Sequence, residues 1–439
     1  MKIFQILCLL LITLAVEAQH TISGTFTPAK DYTWVIAYKI EPGTQGYVAD
    51  TAVNNGKFTL NMPITAVPGT YRLVYAVPQE EFFFDVIYNG RENIQLNFDS
   101  KKGVSFSASQ ENQMYQSYFK EINAEKQRLI DFYAAGKNDT RAFQKLTDQL
   151  NATQTSFEEN TKGMLAQEFI MANRPYVPAQ YEASELYWQN KKAHYFDHLD
   201  LKNPVLQASG YLTDKLSGYV FTAITADKRT KNETEQIVQK NIAVVNQKLE
   251  GTDPVYQLHI LHSLWTKAAS HTFDATSDQI FNTYLKPLAT RTNNQKIIDD
   301  IEVHNRLRLG SPAPEIIWKV GNKEKKLSEM ETADCYVLIF WSSTCSHCLK
   351  EIPPLHQKLK TLKDIKVLAV GLEDDDTSWK PESAKLPGFE HAIALGKWES
   401  PYVKTYAIQQ TPTYFILDKD KRIIARPKSD KEVVAFLER

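Results

Sequence analysis

The chain has 439 residues, 43% of them apolar and 23% charged, with a formal net charge of −1. That length exceeds a single hydrophobic core and predicts about three domains of ordinary size. The near-neutral balance excludes a basic nucleic-acid surface, and 4 cysteines in so long a chain exclude a disulfide-built scaffold.

Lys2, an apolar run from Ile3 to Val16 and the ending Val16-Glu-Ala18 read as a secretory signal peptide over residues 1–18. The run is shorter than the roughly 20 apolar residues that span a bilayer, so no membrane anchor remains after a cut near Ala18. Cys8 lacks the small residues expected before a lipid-modified cysteine. Export leaves Cys335, Cys345 and Cys348, an odd and sparse set for an oxidising compartment, so the Cys-x-x-Cys pair reads as catalytic rather than structural. At about 3.3 Å per strand residue, Cys335 stands too far from Cys345 for a bridge and reads as a small buried apolar side chain.

Residues 19–104 predict a β-sandwich. His20–Phe26, Thr33–Tyr38 and Tyr71–Tyr75 alternate in polarity and are separated by turn dipeptides at Pro42-Gly43, Asn55-Gly56 and Pro68-Gly69. Asn55-Gly56 is the strongest hairpin signal, since both residues tolerate positive φ. Residues 105–308 change period. Tyr118, Ile122, Leu129 and Tyr133 recur at helical spacing, and further helices are predicted at Glu182–Phe196, Asn203–Ala223, Glu233–Leu249, Pro254–Lys267, Asp278–Leu288 and Asn294–Leu307. The middle of the chain is thus an all-α domain. Gly310-Ser-Pro-Ala-Pro314 leads into a third domain, 309–439, whose strands and helices alternate as in an α/β fold.

Within that third domain Tyr336–Trp341 is an apolar strand, and Leu349–Leu362 reads as helix. Between them stands Cys345-Ser-His-Cys348. A strand that delivers a Cys-x-x-Cys to the first turn of a helix sets one sulfur over unsatisfied backbone N–H groups. That favours a thiolate at Cys345 and leaves Cys348 as the sheltered resolving thiol. A c-type haem site needs His at 349, which is Leu. Zinc lacks two further ligands at a useful spacing, and a peroxidatic cysteine lacks its upstream Pro, position 338 being Leu. No metal and no cofactor are predicted.

Three more features accompany the pair: Trp341 four residues before it, Pro353 on the following helix, and Thr411-Pro412 ahead of the apolar run Tyr414–Leu417. Together they resemble the thioredoxin superfamily. That resemblance implies a thioredoxin-like α/β fold in which the Thr411–Pro412 bond is cis, faces the cysteines and pairs with an extended client. Phe340-Trp-Ser-Ser-Thr-Cys-Ser-His-Cys-Leu-Lys-Glu-Ile-Pro353 is more closely similar to the TlpA/ResA-type exported disulfide reductases. The three-part order resembles multidomain TlpA-like proteins of Bacteroidota. The buried Asp of cytosolic thioredoxins is replaced here by Ile339, so Glu351, one turn beyond Cys348, is the candidate proton acceptor. Protonated His347 would stabilise the Cys345 thiolate and raise the redox potential, which leaves the direction of electron flow open. Trp341, with Tyr402 or Tyr406, would line the client surface.

The reading these features give is a periplasmic thiol:disulfide oxidoreductase with a redox-active Cys345–Cys348 disulfide. Its partners would be disulfide-containing protein clients and, by analogy with the family, a membrane electron donor. Two alternatives stand beside it. One is an envelope protein that binds a peptide or glycan and carries a redox-sensitive thioredoxin-like domain; the other is a thiol peroxidase.

Overall fold

The computed structural model describes residues 20–222 and 229–438, so the signal-peptide reading at 1–18 lies outside the described residues. The chain divides into two compact units, Met1–Leu288 and Ala289–Arg439.

In the first unit eight strands come first: β1 (Thr21–Thr27), β2 (Trp34–Glu41), β3 (Thr44–Ala52), β4 (Lys57–Asn61), β5 (Gly69–Val74), β6 (Phe83–Tyr88), β7 (Ile94–Asp99) and β8 (Gly103–Ala108). They form two four-stranded sheets, β4-β1-β7-β8 and β3-β2-β5-β6. Ile22, Phe58, Leu60 and Leu96 of the first sheet share one buried cluster with Val35, Leu73, Phe84 and Val86 of the second. This is the sandwich that alternating strands produce when each sheet has one apolar face. Asn55 (φ 50°) and Gly56 (φ 75°) make the tight turn their sequence predicts. The strands it joins, however, part into different sheets: β3 pairs with β2, and β4 with β1. Asn54 and Lys57 close it as a two-residue hairpin turn, exchanging backbone bonds of 2.9 and 3.0 Å, and beyond that pair the strands diverge at a corner of the sandwich.

Helices follow: α1 (Gln110–Ala134), α2 (Thr140–Asn160), α3 (Ala166–Ala172), α4 (Ser184–Ala193), α5 (Pro204–Gln207), α6 (Tyr211–Phe221), α7 (Lys231–Lys248) and α8 (Pro254–Ser270). Then α9 (Asp274–Gln279) runs through a π turn into α10 (Lys286–Arg291). The helix predicted over Asn203–Ala223 is two helices, with its last residue outside the described residues. Ser209 breaks it: its hydroxyl donates to the Leu206 carbonyl at 2.6 Å and accepts from the Tyr211 N–H at 3.2 Å, replacing ladder bonds. Asn112 ties α1 to β6, its side-chain amide exchanging two 2.8 Å bonds with the Ile87 backbone.

The second unit opens with α11 (Gln295–Arg306) and a two-stranded ribbon, β9 (Ile317–Val320) and β10 (Lys323–Lys326). There follow β11 (Cys335–Trp341), α12 (Ser346–Leu359), β12 (Ile365–Glu373), α13 (Trp379–Ser383), β13 (Glu390–Leu395), α14 (Pro401–Thr405), β14 (Thr413–Asp418), β15 (Ile423–Ala425) and α15 (Asp430–Leu437). The five-stranded sheet has the order β13-β12-β11-β14-β15. β11 runs parallel to β12 and antiparallel to β14. It is buried on both faces, as a central strand of near-continuous apolar sequence should be. Tyr336, Leu338 and Phe340 enter one core, where Leu307 and Val303 of the α11 end also pack. Val337, Ile339 and Trp341 enter the other, beneath Ile352, Leu355 and Leu359 of α12. That packing is why α11, predicted as the last helix of the 105–308 segment, belongs to the unit that begins at Ala289.

Candidate active site

β11 ends at Trp341, and four residues later the chain turns into α12. Cys345 occupies the N-cap of that helix in extended conformation (φ −88°, ψ 116°), with no side chain capping the first turn. Its N–H donates to the Ser342 carbonyl at 3.1 Å and its carbonyl accepts from the Leu349 N–H at 3.1 Å. The sulfur therefore meets the open backbone donors of the helix start, where partial positive charge collects. Burial alone would push this thiol up. Bonds to the sulfur from the Thr411 side chain, the Cys348 backbone and side chain, and the His347 backbone outweigh it, and Cys345 lies below the ordinary thiol range.

Cys348, one turn on, is fully buried within the α12-side core. Burial pushes its thiol up to about 12, against a bond from the Ser342 backbone. The two sulfurs are thus opposites: a half-exposed one poised to ionise and a buried one held protonated. Both are free thiols, as is half-buried Cys335, whose thiol burial pushes up.

Opposite the pair lies the turn before β14. The Thr411–Pro412 bond is cis. The Cys345 thiol donates to the Thr411 carbonyl at 3.4 Å, so this turn faces the nucleophile directly. Pro412 is buried and Thr411 half-exposed. Half-buried Glu351 projects from α12 and accepts from the Tyr414 phenol at 3.3 Å. Tyr414 is itself buried; that burial, followed by the charges of Glu351, Asp430 and Cys348, raises its phenol. Glu351, Tyr414 and Cys348 consequently share one small patch behind the helix start.

Other residues fall elsewhere. The His347 imidazole is exposed, and the group acting on Cys345 is the His347 backbone N–H. Trp341 is 1% exposed and packs in the core with Cys348. It walls the inner side of the pair and has no surface to offer a client, because it is a β11 residue on the face that α12 covers. Tyr406 is fully buried and donates to the Pro314 carbonyl; the Tyr402 hydroxyl bonds the Ile317 backbone at 2.9 and 3.1 Å. Both tyrosines brace the domain.

Sequence reasoning missed Glu373. This carboxylate closes β12, is 3% exposed, accepts the Ser343 N–H and lies 3.4 Å from the Ser342 hydroxyl. It pins the turn whose Ser342 backbone reaches Cys348. Its only signal in the sequence is an acid ending the apolar run Val367–Leu372, which a strand-end reading explains equally well. Tyr414 was hidden in the same way, as one aromatic among the apolar residues after Pro412.

A family model described as thioredoxin-like matches residues 333–423, and a second, a domain of unknown function, matches residues 20–115. The thiol-disulfide oxidoreductase ResA of Bacillus thuringiensis subsp. konkukian is 25% identical over 128 residues, covering 29% of this chain and 73% of that one. Protein FixW of Rhizobium leguminosarum is 28% identical over 133 residues, covering 27% of this chain and 59% of its own. Among solved structures, a domain of a possible thiol-disulfide isomerase from Cytophaga hutchinsonii shares 32% identity, with a TM-score of 0.27 over 30% of this chain and 92% of that one. A thioredoxin-like protein from Bacteroides caccae covers 60% of this chain and 96% of its own at 17% identity and a TM-score of 0.31.

Mixed sheet, helix-capping cysteine and sequence match define the class of the C-terminal unit, which is thioredoxin-like. Within that class the chain is TlpA/ResA-like, a multidomain thiol:disulfide oxidoreductase.

Proposed function

We propose that the protein is exported and exchanges disulfides with protein clients through Cys345 and Cys348. The Cys345 thiolate attacks a client disulfide, forming a mixed disulfide and releasing one client thiolate. Cys348 then loses its proton and attacks the Cys345 sulfur, which expels the second client thiolate and leaves a Cys345–Cys348 disulfide. Two electrons pass to the client. A dithiol donor, by family analogy a membrane protein, returns them.

The observation that carries this reading is the asymmetry of the pair, with Cys345 below the ordinary thiol range and Cys348 pushed up to about 12. A free Cys348 is inert at neutral pH, so its proton needs an acceptor when the mixed disulfide forms. Glu351 fills that role, with the Tyr414 phenol it bonds at 3.3 Å holding it beside the buried sulfur. A client backbone laid along Thr411 brings its disulfide to Cys345, whose sulfur is 3.4 Å from the Thr411 carbonyl. His347 contributes its N–H to the thiolate. The segments 19–104 and 105–308 select clients in this scheme. Among the described residues no helix is long and apolar enough to cross a membrane. A periplasmic address after cleavage of residues 1–18 fits the oxidising setting in which such a pair has clients.

Reduction of insulin disulfides by the purified chain tests the proposal: turnover is expected, and Cys345→Ser abolishes it. Absence of turnover with all cysteines intact would favour the binding-protein reading instead, and Cys345-dependent consumption of hydrogen peroxide the peroxidase.

A further inference from the structure

In the C-terminal unit the segment between α13 and β13 is held by two imidazoles that thiol chemistry does not use. Leu386-Pro387-Gly388-Phe389 is a tight turn, closed by the Phe389 N–H on the Leu386 carbonyl at 3.3 Å, with Gly388 at φ 94°. Leu386 is 3% exposed and enters the core that holds Cys348, Trp341 and Ile352, and Phe389 packs against that core. The turn therefore closes part of the interior in which Cys348 is buried.

Two consecutive carbonyls of this turn are bonded by histidines from different elements. His356, 1% exposed on α12, meets the Pro387 carbonyl through Nε2 at 2.9 Å. His391, half-buried on β13, meets the Leu386 carbonyl through Nε2 at 3.1 Å. A carbonyl only accepts, so each Nε2 carries its proton and Nδ1 of the neutral ring is an acceptor. Nδ1 of His391 is enclosed and has no partner among the described residues. Neutral, that atom forfeits one hydrogen bond. Protonated, it would be a buried cationic donor with nothing to receive it.

The surroundings supply no acceptor. On α13 the Trp379 ring, 6.3 Å away, offers only an N–H donor, and the Phe389 ring at 6.5 Å is apolar. On α12 His356 opposes a second charge, and the Lys360 stem passes over Gly388. β12 presents Ala369 opposite His391. The acids of these elements are paired elsewhere: Glu382 with Lys385, Glu390 with Lys325 of β10, and Asp376 with Lys380. Burial accordingly holds His391 below the ordinary imidazole range, with the Leu386 bond opposing it and His356 adding to it.

We propose that the Leu386–Phe389 turn is an acid-sensitive latch, in which a proton taken up by His391 opens the turn and withdraws Leu386 from the core around Cys348. The sign follows from linkage. Closed, the turn holds His391 neutral; open, the ring is in water and titrates at about 6.5. Above that value the two forms bind the same number of protons, and the latch stays shut. As pH falls through it, the open form gains a proton that the closed form lacks. Opening is then favoured by up to about tenfold per pH unit, until the closed form titrates as well. The latch does not depend on which disulfides the pair exchanges.

Hydrogen exchange of the full chain, followed by mass spectrometry from about pH 7.5 to about pH 5.5, tests it. Protection corrected for the intrinsic rate should fall across residues 384–391 by up to about tenfold per pH unit below about 6.5, while β11 and β14 keep theirs. His391→Gln retains a side-chain N–H and does not titrate in this range, so its protection should not vary with pH. Titration of the imidazoles by NMR in histidine-labelled protein needs no variant, and should place His391 below about 6.5. Protection of the turn that is flat in the parent, that falls equally in His391→Gln, or that falls no more than in β11 would overturn the proposal. So would a His391 ring that titrates at or above the free value.

Discussion

At the scale of single residues, the two cysteines differ by position alone. Cys345 caps a helix and Cys348 sits one turn inside it. The order of reactivity follows with a definite sign. Alkylation consumes thiolate, so a lowered pKa moves the labelling of Cys345 to lower pH, while Cys348, pushed up to about 12, stays unlabelled through the neutral range. Site-resolved mass spectrometry of the reduced chain treated with iodoacetamide should give a Cys345 midpoint below the roughly 8.5 of a free thiol. Comparable rates at both cysteines would contradict the assignment. This asymmetry was legible in the Cys-Ser-His-Cys spacing. The part assigned to His347 was not, because the sequence shows a side chain and the structure uses a backbone N–H. Two substitutions separate the possibilities. His347→Ala keeps the N–H and should leave the redox potential unchanged. His347→Pro removes it at a first-turn position that accepts proline. The Cys345 thiolate then loses a donor, the reduced form is less stabilised, and the potential should fall by up to about 30 mV, the equivalent of about one pKa unit. Equilibration with glutathione measures both, and an equal fall in the two variants would restore the imidazole.

Secondary-structure elements explain how the pair is held. β11 was readable because its apolar run is unbroken, and the alternation of Tyr336, Leu338 and Phe340 against Val337, Ile339 and Trp341 fills two cores at once. What the run could not reveal is the anchor at its end. Glu373 comes from the neighbouring strand, β12, and fixes the Ser342–Ser343 turn through the Ser343 N–H. Contacts made thirty residues away in sequence leave no local periodicity to detect. The same limit hid the division of β3 and β4 between sheets, since a tight turn fixes its own dihedral angles and not the partners of its strands. Glu373 is a positioning residue. Glu373→Ala strands a buried N–H, which should cost about 1–3 kcal/mol in the C-terminal unit, read as a lower denaturant midpoint at unchanged slope. Its exchange rate should fall at all pH values alike, since the loop and not a proton carrier is disturbed. Glu351→Gln is the counterpart. It should leave the midpoint in place and slow exchange chiefly near neutral pH, where a carboxylate can accept the Cys348 proton. Matching pH profiles for the two variants would remove the distinction between anchor and proton carrier.

On the scale of the whole molecule, the sequence resolved three kinds of periodicity, and the structure has two compact units. The sandwich and most of the helices fold together because β6 is tied to α1 through Asn112 and Ile87, contacts that composition cannot reveal. α11 parts from the other helices because its end packs at Leu307 and Val303 against the core beneath β11. Each unit has its own buried clusters, so cooperative unfolding should be confined within units. Scanning calorimetry of the full chain is therefore expected to resolve two transitions. Closing the Cys345–Cys348 pair changes covalent structure only in the unit from Ala289 onward, so oxidation should shift one transition and leave the other in place. A single transition that oxidation moves as a whole would mean that the division at Leu288 has no thermodynamic counterpart.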